Sequence, residues 1–387
     1  MGWFQFFYKN TNIAMKKITL LFAVMGIFFI STKNISTNQG RWTIEKANEW
    51  YAKQPWIVGC NFIPSTAINQ LEMWQKNTFD PTTIDKELGW AENLGFNTVR
   101  VYLHDLAYAE EPEGFLNRLD KFLDIANSHK IRTIFVIFDD CWLDNPKQGI
   151  QPEAWEGVHN SGWVQSPGLS QLKHYSNDTR IRTRLETYTK AVLERFKNDK
   201  RVLMWDLYNE PGGWWYRRGE KIGKFEKGLV DSLCIPLLND VYRWSRQINL
   251  TQPRTTCWNR GAYEVAAAFN QADIITFHHY GSVQETENLI NKIKKEVLNR
   301  PIVCTEYLSR GYDSNFQTHL PFFKKHKIGA INWGLVSGKT NTIWAWDSWE
   351  KPNPAEPKVW HHDILHKNGT PFNTEEINFI QTITKEK

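Results

Sequence analysis

The 387 residues hold only five cysteines, at positions 60, 141, 234, 257 and 304. Their number is odd, their spacing wide, and no two form a Cys-x-x-Cys pair. This excludes a disulfide framework and a zinc knuckle, and reads most of the thiols as small buried hydrophobes. A dominant charge of one sign is also lacking. Lys and Arg number 47 against 42 Asp and Glu, a formal +5, and the run Lys324-Lys325-His326-Lys327 is short. Interspersed charge of this kind is a solvated surface, so no nucleic-acid partner is expected. No stretch after residue 30 is apolar enough to span a membrane. There is no Gly-x-Ser-x-Gly elbow. Gly334 and Gly338, ahead of Lys339-Thr340, enclose three residues where a phosphate loop needs four.

One early segment reads as an address. Met15-Lys16-Lys17 precedes Ile18 to Ile30, thirteen largely apolar residues, and then the polar Ser31-Thr32-Lys33-Asn34. A basic start and a short apolar core fit a bacterial-type secretory signal. Residues 1–36 are therefore expected to be a signal and disordered tail, with Met15 as an alternative start. The mature protein is expected to be secreted or periplasmic, with no stable membrane span.

Aromatic residues are abundant: 19 Trp, 13 Tyr and 22 Phe. Packing alone rarely needs so many indoles, and their flat faces suit sugar rings. From residue 56 onward, short β-branched runs alternate with helical stretches. Strands are expected at 57–62, 97–103, 132–138, 202–208, 254–258, 273–278, 301–306 and 329–335. Helices are expected at 81–94, 113–129, 180–198, 226–247, 284–298 and 315–326. Eight such units predict one (β/α)8 barrel over residues 42–385, covered by helices on the outside.

The strand ends finish in polar or aromatic residues: Asn61, Arg100, Asp139-Asp140, Asn209-Glu210, Trp258, His278-His279-Tyr280, Glu306 and Trp333. A barrel brings such ends to one pocket. Glu210 and Glu306 are 96 positions apart, which fits three βα units. Two carboxylates across a cleft suit glycosidic bond cleavage, where one protonates the leaving oxygen and the other attacks or activates water.

Asn209-Glu210-Pro211, His278-x-Tyr280, Glu306 and Trp333 together resemble clan A glycoside hydrolases, most closely family 5-like enzymes such as cellulases and endo-mannanases. The resemblance implies a retaining double displacement on β-linked carbohydrate, with Glu210 as acid/base and Glu306 as nucleophile. It implies that Asn209 binds the sugar 2-hydroxyl, that Arg100 and Tyr280 hold Glu306 ionised, and that Trp333 is the floor under the sugar. One position departs: many members carry a His after the third strand, where this chain has Asp139-Asp140-Cys141-Trp142. Asp140 and Trp142 are expected to bind a sugar hydroxyl and face instead. His278, Trp258 and Trp214, in the Trp214-Trp215-Tyr216 run, complete the expected substrate contacts. The long 139–180 and 337–358 loops lean toward a short, blocked cleft. No cofactor and no metal is expected; His361-His362-Asp363 is a weak metal candidate because the first strand lacks a His-x-His pair. The rivals are a transglycosylase on the same scaffold and an inactive carbohydrate-binding protein.

Overall fold

A computed structural model describes residues 40–212, 216–217, 220–221, 224–258, 270–297 and 299–385, with the side chains of 216–232 and of Trp258 outside that description. The expected signal segment also lies outside the described residues. Among the described residues, no helix is long and apolar enough to cross a membrane.

Eight parallel strands follow the eight apolar runs. They are β1 Val58–Asn61, β2 Thr98–Tyr102, β3 Arg132–Val136 and β4 Val202–Asp206. β5 comes in two pieces, Arg254–Thr255 and Cys257–Trp258. β6 Ile275–His278, β7 Ile302–Glu306 and β8 Gly329–Trp333 complete the set. The first piece of β5 pairs with β4 and the second with β6, while β1 pairs with both β2 and β8. The sheet thus begins and ends on one strand and closes into the expected (β/α)8 barrel. Each strand is a residue or two shorter than its apolar run: β6 and β7 start later than their runs, while β2, β3, β4 and β8 stop before theirs end.

Helices fill the intervals as local signals dictate. Asp80 caps Pro81–Asn93 by accepting from Thr83 N, and proline at the start is pre-set for a helix. Asp178 caps Thr179–Phe196, and Asn315 caps Phe316–Lys325. The short helices Gln70–Trp74, Asp105–Glu110 and Leu169–Tyr175 have too few turns to show periodicity in sequence.

Helix α1, Ile44–Ala52, plugs the N-terminal end of the barrel. Trp42 and Ala47 pack there with the inward residues Ile134, Met204, Val303 and Ile331. Trp42 N donates to Asp273 Oδ1 at 2.8 Å, and Arg300 donates to Trp42 O. One end is thus sealed, and the chemistry is confined to the other.

Strand register decides what meets at that open end. Asn61 is level with Arg100 on one side and Trp333 on the other. Glu306 is level with His278. Tyr102 lies two residues beyond Arg100, on the same face of β2.

Candidate active site

Arg100 is the hub, and its side chain is fully buried. Its Nε and Nη2 donate to Asp206 Oδ2 at 3.0 and 2.8 Å. Nη2 also donates to Asn209 Oδ1 at 2.6 Å. Nη1 donates to Asn61 Oδ1 at 2.8 Å and to Glu306 Oε1 at 3.0 Å. A guanidinium in low dielectric costs several kcal/mol unless it is paired this fully. The fixed fork of donors ties β1, β2, β4 and β7 together around one charge.

Glu306 is held at both oxygens. Besides Arg100, Oε1 accepts from the Tyr102 hydroxyl at 2.7 Å, and Oε2 accepts from the Tyr280 hydroxyl at 2.6 Å. Burial pushes the Glu306 carboxyl above its ordinary range; His278, Arg100 and the Tyr280 hydroxyl pull against it, and Glu210 adds to it. The donors fix the orientation of the carboxylate and favour its charged form. Tyr280 and Arg100 are where the sequence reading put them. Tyr102 was missed, although its place two residues from an inward Arg was the available signal.

Glu210 has a different setting. It sits one turn past the end of β4 at φ +41°, a left-handed conformation rare for side chains larger than glycine. Its backbone N–H donates to Cys257 Sγ at 2.9 Å, and Cys141 Sγ donates to its Oε2 at 3.4 Å. Burial pushes both thiols well above their usual range, so they remain S–H groups. The reading of most cysteines as small buried hydrophobes does not single out these two.

His278 bridges the carboxyls. Its Nδ1 lies 2.6 Å from Glu210 Oε1 and 3.2 Å from Glu306 Oε2. Burial lowers its pKa to about 4, so the ring is neutral near pH 7 and carries one proton. Its Nε2 is buried without a protein partner among the described residues. Donor atoms of Glu210, His278 and Glu306 lie within 4.8 Å of one another, which is also the one grouping among the described residues with the spacing of a metal site.

Asn209 is fixed on both faces of its amide, receiving from Arg100 and donating through Nδ2 to Asp139 Oδ1 at 2.8 Å. Asp139 also takes Trp163 Nε1 at 2.7 Å and Gln70 Nε2 at 3.1 Å, and burial raises its pKa to about 6. Asp140 is a correction. It is fully buried, and its oxygens accept from the Tyr208 hydroxyl at 2.7 Å and from Gly212 N at 2.8 Å. It offers no surface to a sugar and instead anchors the chain just after Glu210. Trp142 is half-buried and stacks on Trp349, so it belongs to the rim. Trp333 packs edge-on against Tyr102 and Trp163, whose ring centroids are each 5.7 Å away. Trp163, missed in the sequence, sits in a loop without periodicity. Trp214 and the side chain of Trp258 lie outside the described residues. His361 and His362 pack against each other and Trp346, and Asp363 lines a recess beside Trp333.

Comparison with known proteins places the family and the fold. The cellulase model, glycosyl hydrolase family 5, matches residues 64–339. A probable mannan endo-1,4-β-mannosidase A of Aspergillus niger is 32% identical over 120 residues, 30% of this chain and 28% of that protein. The chain thus aligns with under a third of that relative's length. An exo-β-1,4-mannosidase from Opitutaceae bacterium strain TAV5 shares the fold at TM-score 0.56 and 16% identity, covering 89% of this chain and 61% of that one. An endo-1,4-β-mannanase from Rhizomucor miehei does so at TM-score 0.54 and 13% identity, covering 86% and 96%.

Proposed function

Because the chain belongs to glycosyl hydrolase family 5, we propose that it cleaves β-mannosidic bonds with retention of configuration, using Glu306 as nucleophile and Glu210 as acid/base. The observation that carries this reading is the short span between the two carboxyls, with donor atoms within 4.8 Å. Retaining enzymes hold their carboxyl groups about 5–5.5 Å apart, and inverting enzymes leave about 6.5–9.5 Å for a water. The unequal settings support the division of roles. Glu306 has three strong donors and suits an oxygen nucleophile. Glu210 has a neutral imidazole and a thiol, and suits a group that gives and takes a proton.

In the first step a Glu306 oxygen forms a bond to C1 of the sugar. The bond from C1 to the leaving oxygen breaks, and that oxygen takes the Glu210 proton. In the second step Glu210 takes a proton from water, whose oxygen bonds to C1 and frees Glu306. Asn209 precedes Glu210 and shares the Arg100 guanidinium with Glu306, and its fixed amide suits the sugar 2-hydroxyl. Trp333 offers the apolar floor.

Mannose as the sugar rests on the segment shared with the Aspergillus relative. The basic and apolar stretch at 15–30 supports export of the chain from the cytoplasm. The test is hydrolysis across β-mannosides, β-glucans and xylans, with Glu306→Gln in parallel. We expect β-mannoside cleavage with a β-configured first product by NMR, and a loss of about 10⁴-fold or more in the variant. An α-configured first product, or an unimpaired variant, overturns the reading.

A further inference from the structure

The rim of the barrel is closed along one arc. The segment after β3 and the segment after β8 meet there. Trp142 and Trp349 stack with centroids 5.3 Å apart and planes 7° from parallel, and Trp155 meets Trp349 edge-on. His159 N donates to Ser348 Oγ at 2.9 Å, and its Nδ1 lies 2.7 Å from Trp344 O. Asn341 Nδ2 donates to Trp155 O at 2.8 Å. Gly157 has φ +73°, and a Cβ there would lie 2.2 Å from Asn353 O, so a side chain at this position would force the segments apart. The wall continues on both sides. Arg310, after β7, donates to the carbonyls of Trp360, His362 and Asp363. Lys339 N donates to Ser65 O after β1, and His104, after β2, bonds to Gln165 O.

Beside Trp333 is a narrow recess with room for about one water molecule. Tyr102, Trp163 and Trp333 give it aromatic walls, and Thr340, Thr342 and Asp363 give it polar ones. Thr342 Oγ1 donates to Asp363 Oδ2 at 2.7 Å. Its one hydrogen is then used, so Thr340 Oγ1, 3.1 Å away, donates to it. Asp363 is 1% exposed, and no described residue donates to its Oδ1. The unused capacity of these groups is acceptor capacity, which calls for hydroxyl donors.

Resting on the hydrolase reading above, we infer that the site acts on chain ends: the sugar attacked by Glu306 is the terminal, non-reducing unit, and its free hydroxyls donate to Asp363. The chemistry gives the direction. Glu210 protonates the oxygen that departs with the rest of the chain, so the departing part lies on the Glu210 side. Anything attached to the far side of the attacked sugar must run past Trp333 into the recess. The recess has no room for a second sugar, and Asp363 is in its lining. A buried carboxylate with a spare oxygen is satisfied by hydroxyl groups and left unpaired by a glycosidic oxygen, which has no hydrogen to give. The proposal differs from the endo action in the name of the Aspergillus relative.

The test incubates the full chain with borohydride-reduced mannopentaose and follows the earliest products by chromatography. Mannose and the reduced tetramer, appearing together and first, are expected. Early release of fragments of two or more units from the unlabelled end overturns the inference. Asp363→Ala is expected to raise KM about tenfold or more, with kcat within about threefold. Thr342→Val keeps the carboxylate and is expected to raise KM by about two- to fivefold, which keeps the test alive if the first variant folds poorly. Unchanged KM in both variants overturns the role of Asp363. If the chain cleaves another β-glycoside and no mannoside, the mannose reading falls. The same product test on the reduced oligomer of that sugar then decides the chain-end inference separately.

Discussion

The two catalytic candidates are the same residue type in opposite surroundings. Glu306 ends strand β7, and Arg100, Tyr102 and Tyr280 donate to its oxygens over 2.6–3.0 Å. Glu210 stands on an irregular turn, with the neutral His278 Nδ1 at 2.6 Å and a thiol at 3.4 Å. A carboxylate that must stay charged until it attacks needs strong, fixed donors. One that must exchange its proton twice needs partners weak enough to let the proton go. The difference between the sides is in the kind of partner: a charged guanidinium and two phenols hold Glu306, whereas a neutral imidazole and a thiol lie beside Glu210, which fits the proposed division of roles.

The comparison can be broken most severely at its hub. Arg100→Met is expected to destabilise the fold by about 3–5 kcal/mol, because Asp206 and Glu306 are left buried without their counter-charge. Chemical denaturation measures it, and a loss below about 1 kcal/mol would show that the network is not what holds the site. The contrast in partners is sharpened by trimming each side in turn. Tyr102→Phe and Tyr280→Phe are each expected to lower kcat/KM about 10- to 100-fold, whereas Cys141→Ala is expected to lower it about threefold or less. Equal losses would mean that the thiol is as strong a partner as the phenols.

The smallest effect concerns the acid side's foundation. Burial raises Asp140 to about 7, above its unfolded value near 3.8. The favourable contribution of its protonated form is fully present below the unfolded value and is lost as pH rises through about 7. Asp140→Asn can accept from Gly212 N and donate to Tyr208, and it does not titrate. The variant is therefore expected to gain on the wild type by about 2 kcal/mol between pH 4.5 and 8, a few degrees in thermal midpoint. A difference that stays constant across that range would show that Asp140 does not titrate there.

Much of this was legible in the chain. The alternation of apolar runs and helices carried the barrel, because parallel strands buried on both faces must be continuously apolar. Arg100, Glu306 and Tyr280 were legible because polar residues closing such runs have few places to go except the pocket. Asp140 was misread because the chain kinks after β3, and neighbours in sequence then serve different faces: Asp139 holds Asn209, and Asp140 holds the turn after Glu210. Trp163 and the Trp142–Trp349 stack were not legible at all. Contacts between two long loops leave no period in either one, and the pairing follows from where the barrel puts their ends.

The left-handed backbone at Glu210 has an evolutionary consequence. Glycine is the residue that position's geometry favours, so the chain keeps Glu210 against a local conformational preference. Selection for heat tolerance alone would favour glycine at this turn, and the first step toward a more stable barrel would remove one of the two carboxyls of the site. Any laboratory evolution of this scaffold must therefore select on turnover in every round.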